Sequence, residues 1–260
     1  MILQEQMRIL AHRNIAKDIF EMTLQGNITK EIKGPGQFVH IRTSAGLDPL
    51  LRRPISIASV DTDESCFTVI YRAEGKGTKL LSEKKPDDTA DVLGPLGNGF
   101  PADAAAAGET ALLVGGGIGV PPLYELSKRL NEKGVRVKHV LGFERAEKVF
   151  YSEQFSLLGE THVATVDGSF GTKGFVTDTI DRENMEFDQL YACGPIPMLK
   201  ALEERFHGRR GYLSLEQRMG CGIGACFACV CHTADGAEGR GYIKVCTDGP
   251  VFPIGKVVLA

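Results

Sequence analysis

The chain has 260 residues, 43% of them hydrophobic, which is enough for more than one buried core. Its formal net charge is −3 and its basic residues are dispersed, so nucleic acid is excluded as an expected partner. No run approaches the ~18 apolar residues of a membrane span, and the opening MILQEQMRILAHR lacks the apolar core of a secretory signal; a reducing, cytoplasmic setting without a membrane partner is the expectation.

The first hundred residues read as β structure. Val39 and Ile41 alternate with His40 and Arg42, and Phe67, Val69 and Tyr71 alternate with Thr68, Ile70 and Arg72. Turn clusters at Lys33-Gly34-Pro35-Gly36 and Asp61-Thr62-Asp63 separate such runs, which predicts a small antiparallel barrel. Gly94 to Gly99 close this region, and Ala104 to Gly108 read as a linker.

From Thr110 the rhythm becomes strand, glycine turn, helix. Ala111 to Val114 form a buried-type strand, followed by Gly115-Gly116-Gly117-Ile118-Gly119. A helix over 121–133 places Leu123, Leu126 and Leu130 on one face, and Gly134 stops it. Further strands are predicted at 135–143, 162–166 and 189–193, and a last helix at 197–206 with Met198, Leu199 and Leu202 inward. Alternating strands and helices predict a parallel sheet covered on both faces. A strand that runs into glycines and then a helix sets backbone N–H groups against a phosphate. A second turn, Cys193-Gly194-Pro195, ends a later strand, and ligands of parallel sheets sit beyond such carboxyl ends.

The remaining chemistry lies in the cysteines. Cys221, Cys226 and Cys229 are spaced x4 and x2, and Cys246 follows sixteen residues later. This is the ligand spacing of a plant-type 2Fe–2S loop. Gly220, Gly222 and Gly224 supply the crowded backbone conformations that wrapping a cluster demands. Zinc is the alternative, but its sites come as short paired C-x2-4-C knuckles. Cys231, two residues past Cys229, points elsewhere if the backbone there is extended; Cys66 and Cys193 complete an odd count of seven, which argues against a disulfide framework.

These motifs, in this order, resemble the ferredoxin–NADP reductase superfamily. Arg53-Pro54-Ile55-Ser56 and Gly75-Lys76-Gly77-Thr78 resemble its two flavin signatures, with Ile55 standing where an aromatic residue is common, and Ile70-Tyr71-Arg72 is similar to the next flavin strand. Gly116, Gly117 and Gly119 with Cys193-Gly194-Pro195 resemble its pyridine nucleotide domain. With Glu216-Gln217-Arg218-Met219 leading into the cysteine loop, the whole chain is similar to the electron transfer subunits of dihydroorotate dehydrogenase B.

The resemblance implies an α+β multidomain fold: an FAD-binding antiparallel barrel at 1–101, a parallel α/β NAD-binding domain at 102–208, and a small 2Fe–2S domain at 209–260. It implies that Arg53 pairs with the FAD pyrophosphate, Ser56 bonds near the reactive flavin nitrogen, and Gly77 and Thr78 open a short helix over 78–84. Taken alone, Arg53 reads as a surface ion pair. Tyr71 is a candidate to replace the missing aromatic face on the flavin. The nucleotide glycines make room for NAD, with Cys193 near the nicotinamide, and Cys221, Cys226, Cys229 and Cys246 hold the cluster. Glu144, Arg145 and Asp167 are candidate neighbours of the adenosine ribose, where an acid favours NAD and a basic cluster NADP.

No region is left over for a substrate barrel. A protein partner is therefore expected, and the resemblance implies that it is an FMN-containing catalytic subunit, two copies of each subunit forming a heterotetramer. Electrons would pass from dihydroorotate through FMN, 2Fe–2S and FAD to NAD+ in pyrimidine (UMP) biosynthesis. The alternatives are the electron transfer subunit of another oxidoreductase, such as an NADH-dependent ferredoxin:NADP+ oxidoreductase, a sulfide dehydrogenase or a hydrogenase, and a zinc-stabilised binding module, which would be colourless.

Overall fold

The computed structural model describes residues 1–44, 46–234 and 241–259. The N-terminal part contains strands β1 (Leu3–Ala16), β2 (Ile19–Gln25), β3 (Phe38–Ile41), β4 (Arg53–Asp61) and β5 (Cys66–Arg72), helix α1 (Lys76–Ser82), and β6 (Thr89–Leu96). The six strands close into an antiparallel barrel in the order β1-β2-β5-β4-β3-β6. Period-two alternation turns Met7, Ile9, Met22, Leu24, Val39, Ile41, Ile55, Ile57, Phe67, Val69, Tyr71 and Val92 into one interior core.

The next part follows the strand–helix rhythm: β7 (Thr110–Gly116), α2 (Pro121–Glu132), β8 (Arg136–Phe143), α3 (Ser152–Ser156), β9 (Glu160–Thr165), β10 (Thr172–Lys173), α4 (Val176–Arg182), β11 (Gln189–Cys193), α5 (Ile196–Arg205) and β12 (Gly211–Ser214). After the cysteine loop come β13 (Val230–His232), β14 (Tyr242–Lys244) and β15 (Val251–Pro253). The large sheet has the order β10-β9-β8-β7-β11-β12-β15. Its pairs are parallel except the last, where β15 runs antiparallel to β12. Strands β12 and β15, both beyond residue 208, thus extend the nucleotide-type sheet, and β13 and β14 form a separate antiparallel ribbon.

The barrel's outer surface is packed on two sides. Ala58, Ile70 and Phe100 share a core with Val120, Leu123 and Leu126 of the sheet domain. Glu125 of α2, only 5% exposed, accepts the Val60 N–H of β4 at 3.1 Å and holds Lys128 and Arg129. On the other side, Phe38 and Leu96 join the core that contains Cys229, Val245, Cys246 and Phe252.

Two expectations shift. Helix α1 begins at Lys76 rather than at residue 78, because Gly75 caps it: the Gly75 N–H donates to Thr78 Oγ1 at 3.1 Å, which places Thr78 inside the first turn. Helices α3 and α4 and strands β10 and β12 to β15 lie outside the elements the sequence predicts, and within the predicted barrel only the runs of β3 and β5 are assigned to residues.

His139, on β8, is fully buried, with Nε2 2.8 Å from Ser127 Oγ and Nδ1 2.9 Å from Thr161 Oγ1. Burial lowers its pKa to about 3, against about 6.5 for an unfolded imidazole. The unfolded chain therefore binds the extra proton first, and the stability this group contributes is lost as pH falls below about 6.5. Equilibrium denaturation should show about 2 kcal/mol lost through this group between pH 7 and pH 5, and His139→Gln should flatten the pH dependence by that amount.

Candidate functional site

Arg53 opens β4, and its guanidinium lies over Gly77 in the first turn of α1: a Cβ added at Gly77 would stand 2.6 Å from Arg53 Nε. The two motifs, far apart in sequence, thus form one place. The guanidinium donates to the carbonyls of Leu51 at 2.6 Å and Arg52 at 3.4 Å, and meets no carboxylate among the described residues. It is not the surface ion pair that the isolated residue suggested. A half-buried guanidinium without an acid partner fits a phosphate, which it can bind bidentately. Ser56, three residues on, faces outward opposite Phe38 in the ladder, and its hydroxyl has no protein partner among the described residues.

The aromatic substitute fails. Tyr71 is 2% exposed inside the barrel, and its hydroxyl pairs with His12 Nε2 at 2.9 Å, so its ring offers no face to a flavin outside. The cause is strand parity, since Tyr71 shares the inward set of β5 with Phe67 and Val69. Ile55 faces inward as well, and Ile70 is buried in the barrel–sheet core. Those positions offer a ligand their backbone only. Pro54 is exposed, and Arg72 reaches outward, ion-paired to Glu74 at 3.0 Å.

The glycine turn after β7 and the Cys193-Gly194-Pro195 turn meet closely. A Cβ on Gly119 would stand 2.3 Å from the Cys193 carbonyl oxygen, and one on Gly116 2.9 Å from Pro195 and 2.6 Å from Met198 Sδ. Gly117 is in the left-handed region at φ +53° with open space around it. Beyond the carboxyl ends of β7, β8 and β11 lies a cavity of about 530 Å³, lined by Gly116, Gly117, Phe143, Glu144, Pro195 and Met198 among others. This is where a parallel sheet binds a dinucleotide. Glu144 accepts from Lys148 Nζ at 2.7 Å and Arg145 Nη2 at 2.8 Å, which hold its carboxyl down to about 2. Asp167 is bonded to Ser169 and does not line this cavity. Cys193 is 1% exposed, and burial pushes its thiol well up, so it is a wall and not a nucleophile.

The reading of single motifs passed over Glu216 as a site residue. It follows β12 and keeps an open face to solvent, yet the protein around it desolvates the carboxyl and raises it, against the opposing charge of Arg72. It also acts on buried Cys193. Only the fold brings Arg72, Cys193 and Glu216 together.

In the cysteine loop, the N–H groups of Ala225 and Cys226 donate to Cys221 Sγ at 3.3 and 3.4 Å, and the Cys221 N–H donates to Cys226 Sγ at 3.4 Å. Burial opposes but does not prevent the fall of the Cys221 thiol to about 7, which the N–H groups of Ile223, Cys226 and Ala225 drive. Cys229 and Cys246 are each 2% exposed and interact with one another, and burial followed by Cys229 raises Cys246 to about 11. Among the described residues no three His, Cys, Asp or Glu side chains converge on one point as a single ion requires. The thiols fall instead into two pairs, 221 with 226 and 229 with 246, as two irons with two thiolates each demand. Cys231 stands apart on β13, its thiol engaged with the Gln217 side chain.

Comparison with known proteins agrees with this geometry. The family described as the iron-sulfur cluster binding domain of dihydroorotate dehydrogenase B matches residues 216–258, and the oxidoreductase NAD-binding domain matches 113–204. The dihydroorotate dehydrogenase B (NAD(+)) electron transfer subunits of Bacillus mycoides KBAB4 and Bacillus cereus AH187 are each 60% identical over 259 residues, covering 100% of both chains. The solved NADH-dependent reduced ferredoxin-NADP oxidoreductase superposes with a TM-score of 0.84 at 33% identity, over 97% of this chain and 90% of that one. The chain belongs to the family of dihydroorotate dehydrogenase B electron transfer subunits.

Proposed function

We propose that this chain is the NAD+-reducing electron transfer subunit of a dihydroorotate dehydrogenase in pyrimidine biosynthesis. It receives electrons from a catalytic subunit that carries FMN, and two copies of each subunit assemble as a heterotetramer. The observation that carries the reading is the arrangement of the cysteine loop: Cys229 and Cys246 are packed in the core with Phe38 and Leu96 of the barrel, next to the flavin strand β4, while Cys221 and Cys226 exchange N–H···S bonds on the outer turn. When bound, FAD exchanges two electrons with nicotinamide and one at a time with a 2Fe–2S cluster, which makes the chain a converter and not an orotate-forming catalyst.

The residues present suit those groups. Arg53 supplies the positive charge for the FAD pyrophosphate, Gly77 leaves that guanidinium room, and the free hydroxyl of Ser56 is the donor on the flavin side. Gly116, Gly117 and Pro195 line the dinucleotide cavity, and Gly119 and Gly194 let its two turns approach each other. Glu144 presents a carboxylate where the ribose 2′-hydroxyl is read, favouring NAD over a 2′-phosphate. Hydride transfer asks for stacking and orientation, so the chain's work is positioning and exclusion of water. Cys221, Cys226, Cys229 and Cys246 are the iron ligands. The alternative of a different superfamily oxidoreductase is less favoured, because the structurally similar ferredoxin-NADP oxidoreductase is 33% identical against 60% for the dihydroorotate dehydrogenase subunits.

Three measurements test these roles. Cys226→Ser should remove the electron paramagnetic resonance signal of the reduced cluster and NADH-dependent reduction of the partner's FMN in the complex isolated by gel filtration, while NADH still reduces FAD; normal transfer to FMN in that variant overturns the reading. Gly119→Ala places a methyl against backbone, so it should cost about 1–3 kcal/mol of stability and raise the KM for NADH roughly tenfold. Glu144→Gln should narrow the preference for NADH over NADPH by about tenfold, the worth of one hydrogen bond to a charged group, in steady-state ratios of kcat/KM.

A further inference from the structure

His40, on β3, is wholly shielded from solvent, and neither ring nitrogen has a hydrogen-bond partner. The contrast within the same molecule is plain. Buried His139 satisfies both nitrogens, and His12 pairs with the Lys84 carbonyl at 2.7 Å and the Tyr71 hydroxyl at 2.9 Å. Buried polar groups of native proteins are bonded, and an exception calls for an explanation.

The surroundings of His40 supply one. Its ring lies against Gly222, the residue after Cys221: a Cβ there would stand 2.7 Å from Cε1, 2.9 Å from Nε2 and 3.0 Å from Nδ1. The cluster loop is thus part of the wall that closes over the ring, and Gly222, at φ +73°, is a residue type the contact demands. In the β3–β4 ladder His40 is opposite Pro54 of the flavin motif, and Phe38 is opposite Ser56, so these four side chains share the outer face of the barrel. The Phe38 ring flanks the imidazole at 5.8 Å between centroids. Arg52 bonds the His40 carbonyl and Asp91, not the ring. Burial, and then Arg52, lowers the imidazole to about 4, so the ring is neutral and carries one hydrogen.

We propose that His40 is a positioning residue of the iron–sulfur site: its ring N–H, which meets no cysteine sulfur among the described residues, is the hydrogen-bond donor to the cluster's own sulfur when the cluster is bound, so that the flavin barrel helps set the cluster's affinity for an electron. The proposal rests on the cluster reading above. Each electron the cluster accepts adds a negative charge. An N–H aimed at sulfur stabilises that charge, and no bond forms or breaks and no proton moves. Hydrogen bonds to sulfur are a recognised lever on such potentials.

The test uses the complete complex with its catalytic subunit. His40→Phe keeps a ring of similar size without the N–H, and His40→Gln keeps a donor. Iron and acid-labile sulfide are measured first; their absence from the unaltered protein sinks the cluster reading itself, and the proposal with it. With the cluster present, a potentiometric titration followed by electron paramagnetic resonance should show His40→Phe reducing the equilibrium constant for cluster reduction about tenfold, a fall of ~59 mV for one electron. His40→Gln should recover part of the shift, and the FAD potentials should stay where they are. In protein labelled with ¹⁵N-histidine and carrying His232→Gln, which removes the other imidazole near the loop, hyperfine spectroscopy of the reduced cluster should detect imidazole nitrogen, and this decides the matter even if His40→Phe fails to fold. An unchanged cluster potential in a fully loaded His40→Phe variant, a shift confined to FAD, or no ¹⁵N coupling overturns the proposal.

Discussion

The carboxylate of Glu125 sits nearly dry between the barrel and the sheet domain, and the arrangement of the redox sites depends on it. It caps the Val60 N–H of β4 while Lys128 and Arg129 balance its charge from its own helix. A buried charge is tolerable only when it is paired and bonded, so the contact admits one docking geometry. Strand β4 is also the strand of Arg53 and Ser56, and α2 begins at the glycine turn beside the dinucleotide cavity. One polar clamp therefore fixes the flavin strand relative to the nucleotide turn. A reaction that relies on orientation of two rings has little use for a hinge at this point.

The cluster loop is held by the same economy of parts. Cys221 and Cys226 lie on its outer turn and trade N–H···S bonds, while Cys229 and Cys246 are drawn into the hydrophobic core with Phe38, Val245 and Phe252. One pair faces outward and the other inward. An outward pair is where a partner protein can come near, and an inward pair is where the barrel is.

Where sequence gives the answer and where it does not follows from the range of the interaction. The helix over 121–133 was legible because Leu123, Leu126 and Leu130 repeat at helical spacing, and the cysteine loop because ligand spacing is a local property. The Arg53–Gly77 contact was legible only through motif resemblance. Tyr71 was misjudged because an alternating strand has two faces and nothing local says which one is inside; the packing of Phe67 and Val69 decides it. Glu144 stood out in the sequence only as one of three candidate neighbours of the adenosine ribose; its place in the cavity wall and its pairing with Arg145 and Lys148 needed coordinates. His40 carried no signal as a site residue, and Glu216 entered only as part of the stretch leading into the cysteine loop, since the neighbours of both come from strands and loops far away in the chain. Strands β12 and β15 were missed for the same reason, being too short to show a period and made strands by their partners.

The pairing of β15 with β12 reaches beyond simple closure of a sheet. After leaving the sheet to wrap the cysteines, the chain returns to lie along the edge it left, Ser214 opposite Val251 and Tyr212 opposite Pro253. The iron-binding lobe is consequently not a cassette that could be cut out and transplanted. Removing the chain after Leu215 would strip β12 of its neighbour and bare a row of backbone donors and acceptors, a template for aggregation. The fold of this lobe is thereby tied to the nucleotide domain that borders it, because β15 lies along the edge of that domain's sheet.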